Sequence, residues 1–314
     1  MTARQHHYLS QCYLKGFTKG RAKKSKLWVL SPRASKMFQT TPRNVGGVRD
    51  FNRIDSPGLD QNVLETELAK FEDKAASALK RLLQTSSFSG ETRDVLLNLI
   101  ALLAVRSPER REHMRQFHAQ IVERLMDLTL YSKERWESQY AQAKASNPEL
   151  QDNVSYEDMK TFFESKQYKV DLKREYQIHM EMVQVDAILP CLHNRNWTLL
   201  KTNSVTGPFI TTDKPVDLSW NDPESVPPLY RNSPGFGLKS TQVYLPVSQD
   251  LALIGEFDGE DRMVNATEQL VALLNSKMLY GFYNQIYTPI TGFKFVGKGN
   301  ILRTGSALVQ AFGP

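Results

Sequence analysis

Cysteine is nearly absent: Cys12 and Cys191 are the only two in 314 residues. Two thiols cannot build a disulfide framework or a four-thiolate zinc site, so both classes are excluded and the pair is expected to sit as small buried hydrophobes. Long apolar runs are also scarce. The longest, Val95 to Val105, falls short of a hydrocarbon layer about 30 Å thick. The opening Met1-Thr2-Ala3-Arg4-Gln5-His6-His7 has neither an apolar signal core nor a small-residue cleavage site, so the expectation is a cytoplasmic protein with no membrane contact. Several signature loops are missing as well. There is no Walker A loop, no Gly-x-Gly-x-x-Gly after a strand, no His-Glu-x-x-His and no nucleophile elbow. The acidic turn from Glu256 to Asp261 lacks calcium-loop spacing, and no convincing Glu-x-Lys follows Asp213 as a restriction-type site would require.

Apolar content and positive charge are present. Hydrophobic residues make up 40% of the chain, enough to bury a sizeable core. The formal net charge is +6, and its distribution is lopsided: the first fifty residues hold eleven Lys or Arg against one acid, Asp50. Such asymmetry suits a phosphate-facing surface, where each cation placed on a phosphate releases counterions, although a charge run also serves as a solvated face. Lys15, Lys19, Arg21, Lys23, Lys24 and Lys26 are the residues expected to meet nucleic acid. Tyr8, Tyr13, Phe17 and Trp28 interleave with them and could stack bases, but aromatics at this spacing more commonly belong to a core.

Periodicity divides the chain. After the basic start, Leu27 to Ser31 alternates like a strand. From Leu59, apolar residues at Val63, Leu64, Leu68, Phe71, Ala75, Leu79 and Leu82 recur at three and four, the helical period. A second helix spans Val95 to Val105. A third is restarted by Ser107-Pro108, a serine cap with proline where its missing N–H is harmless, and is expected to run through Arg115 to Lys144 until Asn147-Pro148. Ser155-x-x-Asp158 resembles a capping box, and Val170 to Leu192 reads as a helix ending near Pro190. Beyond Asn196 the period shortens toward two, with strands expected at 197–200, 208–211, 242–245 and 251–254. Helix returns over Asn265 to Tyr287, followed by a strand over 293–296. The resulting expectation is one α+β domain over 1–314: a basic segment (1–58), a helical subregion (59–192) whose central helical block covers about 60–192, and a β-rich half (193–314) with mainly antiparallel strands and a C-terminal helix.

Gln5-His6-His7-Tyr8-Leu9-Ser10-Gln11-Cys12-Tyr13-Leu14-Lys15-Gly16-Phe17 is similar to the N-terminal signature of the bacterial domain-of-unknown-function family 4238. Leu64 to Glu72, Phe209-Ile210-Thr211-Thr212-Asp213-Lys214-Pro215-Val216, Leu245 to Ser248 and Leu274 to Tyr287 follow in that family's order, so the resemblance covers most of the chain. It implies an α+β fold with a helical centre and no established chemistry. It places the family histidine on His7, the family acids on Glu65 and Glu72, and the Thr-Asp element on Thr211, Thr212 and Asp213. Ser10, Cys12 and Lys214 stand where the family more often has proline, an aromatic and asparagine.

These residues define the candidate chemistry. Histidine exchanges protons near neutral pH, and glutamates seven apart share one helix face. Should His7, Glu65, Glu72 and Asp213 converge, they would form an imidazole–carboxylate shell. Such a shell suits a divalent metal, Mg or Mn, held by Glu65, Glu72 and Asp213, or metal-free acid–base cleavage of a phosphodiester. Lys214 would then stabilise the developing phosphorane charge. The expected activity is therefore a nucleic-acid-cleaving hydrolase with His7, Glu65, Asp213 and Lys214 as catalytic groups, of the kind that acts as a bacterial antiphage effector. The alternative is a non-catalytic module that binds nucleic acid, a partner protein or a second copy of itself.

Overall fold

The computed structural model describes residues 4–22, 24–147, 150 and 153–311. In chain order its elements are β1 (Gln5–His7), α1 (Gln11–Leu14), β2 (Leu27–Ser31), β3 (Lys36–Thr40), β4 (Gly47–Arg49), α2 (Val63–Thr85), α3 (Gly90–Val105), α4 (Pro108–Thr129), α5 (Lys133–Ser146), α6 (Tyr156–Ser165), α7 (Arg174–His193), β5 (Asn196–Lys201), β6 (Thr211–Thr212), β7 (Asp217–Trp220), β8 (Thr241–Pro246), β9 (Leu251–Glu256), β10 (Arg262–Asn265), α8 (Glu268–Gly281), β11 (Ile286–Thr288), β12 (Lys294–Val296), β13 (Leu302–Thr304) and α9 (Gly305–Ala311). A helical block thus precedes mostly antiparallel sheets and a C-terminal helix, the α+β class the periodicity predicts. Two compact units result: Met1–Pro108 with Ile178–Pro314, and Glu109–Gln177.

The first unit contains the sheets. One has the order β10-β5-β9-β8-β7 and the other β3-β2-β11-β6, while β1 pairs with β4 and β12 with β13. All pairings are antiparallel except β10 with β5. Helix α2 buries Ala75, Ala78, Leu79 and Leu82, one stripe at helical spacing, and ends at Ser86 in a left-handed conformation (φ 55°). Helix α3 is apolar nearly all round and buries Leu96, Leu97, Leu99, Ile100, Ala101 and Leu103, as expected of a helix enclosed by neighbours. Leu9, Tyr13, Leu14 and Phe17 join this core at zero exposure. Tyr8, Tyr13 and Phe17 are therefore core residues. The Tyr13 hydroxyl donates to the Pro246 carbonyl at 2.7 Å and lies 2.7 Å from Thr211 Oγ1, which fixes the N-terminal segment onto β6 and β8.

Arg195 joins β8, β9 and the loop before them. Its guanidinium donates to the carbonyls of Thr241 (2.6 Å), Gly255 (3.0 Å) and Phe236 (2.7 Å) and to Thr241 Oγ1 (2.9 Å), and it sits 4.2 Å from the Phe257 ring centroid. Burial pulls its pKa down to about 10.

The second unit, Glu109–Gln177, is helical. The helix expected from Arg115 to Lys144 is broken at 130–132, where Ser132 caps α5 by accepting from the Arg135 N–H. Ser155 caps α6 by accepting from the Asp158 N–H at 3.0 Å, as the capping-box pattern implies. Leu130, Trp136 and Phe163 form a satellite core, with Trp136 stacked on Tyr140 and Phe163 on Tyr168.

Sequence-derived boundaries also move in the first unit. Helix α7 continues through Pro190 to His193. The helix expected to reach Tyr287 stops at Gly281, and β11 takes its place. No helix among the described residues is long and apolar enough to cross a membrane.

Candidate functional site

The N-terminal histidines face opposite ways, as adjacent strand residues must. His6 is fully buried, and its Nδ1 accepts the Asn52 backbone N–H at 2.9 Å, which leaves the other ring nitrogen to carry the proton. His7 is half-buried, and its Nε2 lies 3.1 Å from the Arg43 carbonyl oxygen. Asn52 is the hub of this corner. It is fully buried, its amide nitrogen donates to Glu65 Oε2 at 2.6 Å, and its amide oxygen accepts from the Arg106 guanidinium at 2.9 Å.

Two turns along α2 from Glu65, Glu72 accepts the Ser10 hydroxyl at 2.8 Å. Burial raises the Glu72 carboxyl above the ordinary carboxylate range and the Glu65 charge adds to this, while Ser10, Arg106 and His7 pull it back. His7, Glu65 and Arg106 thus all lie within electrostatic reach of Glu72.

A raised folded-state pKa means that the folded protein holds this proton more tightly than the unfolded chain. The stabilisation is complete below the ordinary value of 4.5 and disappears as pH rises through the shifted value. Glu72→Gln preserves the acceptor for Ser10 and removes the titration. The variant is expected to gain stability relative to the parent as pH climbs from 4.5 and to hold that advantage at pH 7. Denaturant unfolding across pH checks this, and identical pH slopes for the two proteins would refute it.

Asp213 has a different setting. It is 2% exposed, and its carboxylate accepts three consecutive backbone N–H groups, from Tyr283 (2.8 Å), Asn284 (2.6 Å) and Gln285 (2.9 Å). Its own N–H donates to the Gln285 carbonyl. The Thr212 hydroxyl closes a local turn with Lys214. Lys214 is half-buried, with Nζ 5.8 Å from the Tyr283 ring centroid. The Thr-Asp element therefore holds the turn between α8 and β11. Among the described residues no group of three or more His, Cys, Asp or Glu is placed to hold a metal ion, so Glu65, Glu72 and Asp213 are not gathered into a metal shell.

The basic residues frame a cleft of about 410 Å³, lined by Cys12, Lys15, Gly16 and Arg21 from the N-terminal segment, Ala76, Leu79, Lys80, Leu83 and Gln84 from α2, and Val247 after β8. Its cations are Lys15, Arg21 and Lys80, and Arg21 is ion-paired with Asp250. Lys19, Lys24 and Lys26 are exposed on the adjoining turn. Lys23 lies outside the described residues.

Gly16 makes the close approach possible, because a Cβ there would meet the Val247 carbonyl oxygen at 2.9 Å. Cys12 and Cys191 are each half-buried, less enclosed than expected. Burial and the nearby Glu72 charge push the Cys12 thiol up to about 12, so it lines the cleft as a neutral, unreactive group. Glu72 sits one helical turn before Ala76, at the end of the α2 face that lines the cleft. Asn52, Arg106 and Lys80 were not picked out by sequence reasoning. Arg106 does carry a signal, as the cation that directly follows the apolar run Val95 to Val105.

These features define an α+β protein whose docked N-terminal segment carries a buried histidine–amide–carboxylate network at the end of a cationic cleft. The chain belongs to the family described as proteins of unknown function, DUF4238, which matches residues 5–290. No curated protein and no solved structure matches it.

Proposed function

We propose that this protein binds single-stranded nucleic acid in the cleft between its N-terminal segment and α2. The observation carrying this reading is the cleft's composition: Lys15, Arg21 and Lys80 around a floor of Leu79, Leu83 and Val247. Cations suit phosphates, and an apolar floor suits the face of a base that a duplex would keep stacked. The exposed Lys19, Lys24 and Lys26 extend the positive surface beyond the cleft.

Cleavage of the bound strand is the second reading, favoured by Glu72. Its carboxyl is held above the usual range beside His7 and Arg106, which provides a proton-exchanging pair and a guanidinium for a metal-free phosphodiester reaction.

The test uses labelled RNA, single-stranded DNA and duplex DNA, in EDTA and in Mg²⁺ or Mn²⁺, with the parent and a Lys15→Glu/Lys80→Glu variant. The parent is expected to prefer single strands. The variant is expected to bind about a hundredfold more weakly, and loss of two phosphate contacts is expected to lower its salt slope by about 1.4. Equal affinities for parent and variant would remove the cleft from the account. Products that vanish in Glu72→Gln and His7→Ala, with binding retained, would establish cleavage, whereas binding without products leaves the binding role alone.

A further inference from the structure

A second polar cluster lies away from the cleft, between α8 and the edge of the five-stranded sheet. Strand β7 forms that edge. Alternation sends Asp217 and Ser219 to the same face, and Asp217 stands directly opposite Tyr244 of β8. From α8, Lys277 donates a hydrogen bond to Ser219 Oγ at 3.2 Å. Lys277 and Ser219 are both half-buried, so the pair is sheltered but still reachable from solvent.

Two neighbouring polar atoms are unspent. Asp217 Oδ2 and the Tyr244 hydroxyl are buried without a hydrogen-bond partner among the described residues, and the Tyr244 side chain is fully enclosed. Buried polar groups are almost always satisfied, so two orphans side by side indicate that a polar molecule, water or ligand, completes the cluster.

We propose that Ser219 and Lys277 form a nucleophile–base pair that hydrolyses carboxylic esters. An amine close to a serine hydroxyl activates it only when the amine is neutral. Here burial lowers the Lys277 pKa, against the opposing pull of Asp217 on β7 and Glu256 on β9. With its proton gone, Lys277 accepts from the hydroxyl instead of donating to it.

Ser219 Oγ then bonds to the ester carbonyl carbon as its proton passes to Lys277. The tetrahedral adduct collapses, the bond to the alkoxide leaving group breaks, and Lys277 returns the proton to that oxygen. Water repeats the sequence on the acyl-serine, giving a carboxylic acid and restoring the hydroxyl, so ester and water are the only reactants. Tyr244 is diagonal to Ser219 on the same face. Burial and the charge of Asp217 hold its hydroxyl well above the ordinary value, so it stays protonated beneath the pair.

The experiment uses the full chain, a fluorophosphonate probe with peptide mapping, and 4-nitrophenyl acetate as a turnover substrate. One equivalent of probe is expected on Ser219. Labelling should rise with pH to a midpoint below 10.5, the ordinary lysine value, and Ser219→Ala should abolish it. Lys277→Arg retains a cation facing Asp217 and Glu256 but cannot act as a base. It is expected to keep the parent's melting profile while losing about a hundredfold in both labelling and turnover. Mapping the parent needs no variant: a native protein that leaves Ser219 unmodified overturns the proposal. So does a Lys277→Arg protein that labels at the parental rate, or turnover that survives Ser219→Ala.

Discussion

Asp213→Ala is expected to destabilise the first unit by about 4 kcal/mol and to lower its melting temperature by about 10 °C, as followed by circular dichroism. The size follows from the partners. The carboxylate accepts three consecutive backbone N–H groups, from Tyr283, Asn284 and Gln285. Bonds to a charged acceptor are worth about 1.5–3 kcal/mol each, and removing the acceptor takes it from three part-buried donors at once. Asp213→Asn should recover less than half of the loss, since its amide nitrogen would turn donors toward donors. An unchanged melt in either variant, together with loss of a chemical activity, would move Asp213 from holding the fold to performing the reaction.

Arg195→Met is expected to be at least as damaging, on the order of 4–5 kcal/mol, with loss of soluble protein at 37 °C as the simplest readout. Methionine fills much of the volume but donates nothing, which strands the carbonyls of Thr241, Gly255 and Phe236. Arg195→Lys should rescue only part of this, because one ammonium cannot reproduce the planar fork that spans two strands and a loop. A variant melting within a few degrees of the parent would show that these carbonyls find other donors.

The sequence discloses elements whose side-chain period is decided locally. Strands β2, β5, β8 and β9 are short apolar runs bounded by turn residues, α2 carries its stripe in plain view, and α3 is a continuous apolar run. What stays hidden is set by residues far apart in the chain. A strand is expected over 208–211, yet β6 starts only at Thr211, because the Ile210 N–H is taken by the Asn275 side chain. That same amide donates to the carbonyls of Pro208 and Lys294, so one asparagine on α8 replaces a strand partner.

The helix expected through Tyr287 ends early for a related reason. The N–H groups of residues 283–285 go to Asp213, and no local pattern announces an acceptor seventy residues away. At the candidate site, His7, Glu65 and Glu72 were legible as residue types at suggestive spacings. Asn52, which connects His6, Glu65 and Arg106, was not, because a single asparagine between a turn and a helix looks like any other loop residue.

The pairing of β2 with β11 also has a consequence for the time at which the protein comes into being. Leu27–Ser31 is made long before its partner Ile286–Thr288. At ordinary elongation rates the gap is on the order of tens of seconds. During that interval one side of β2 is an open strand edge, the kind that recruits foreign strands. Val247 and the Tyr13–Pro246 contact are likewise missing until β8 has been made, so the cleft cannot take shape on a chain that stops short of it. Any ligand of that cleft therefore meets only chains that have been extended past Val247.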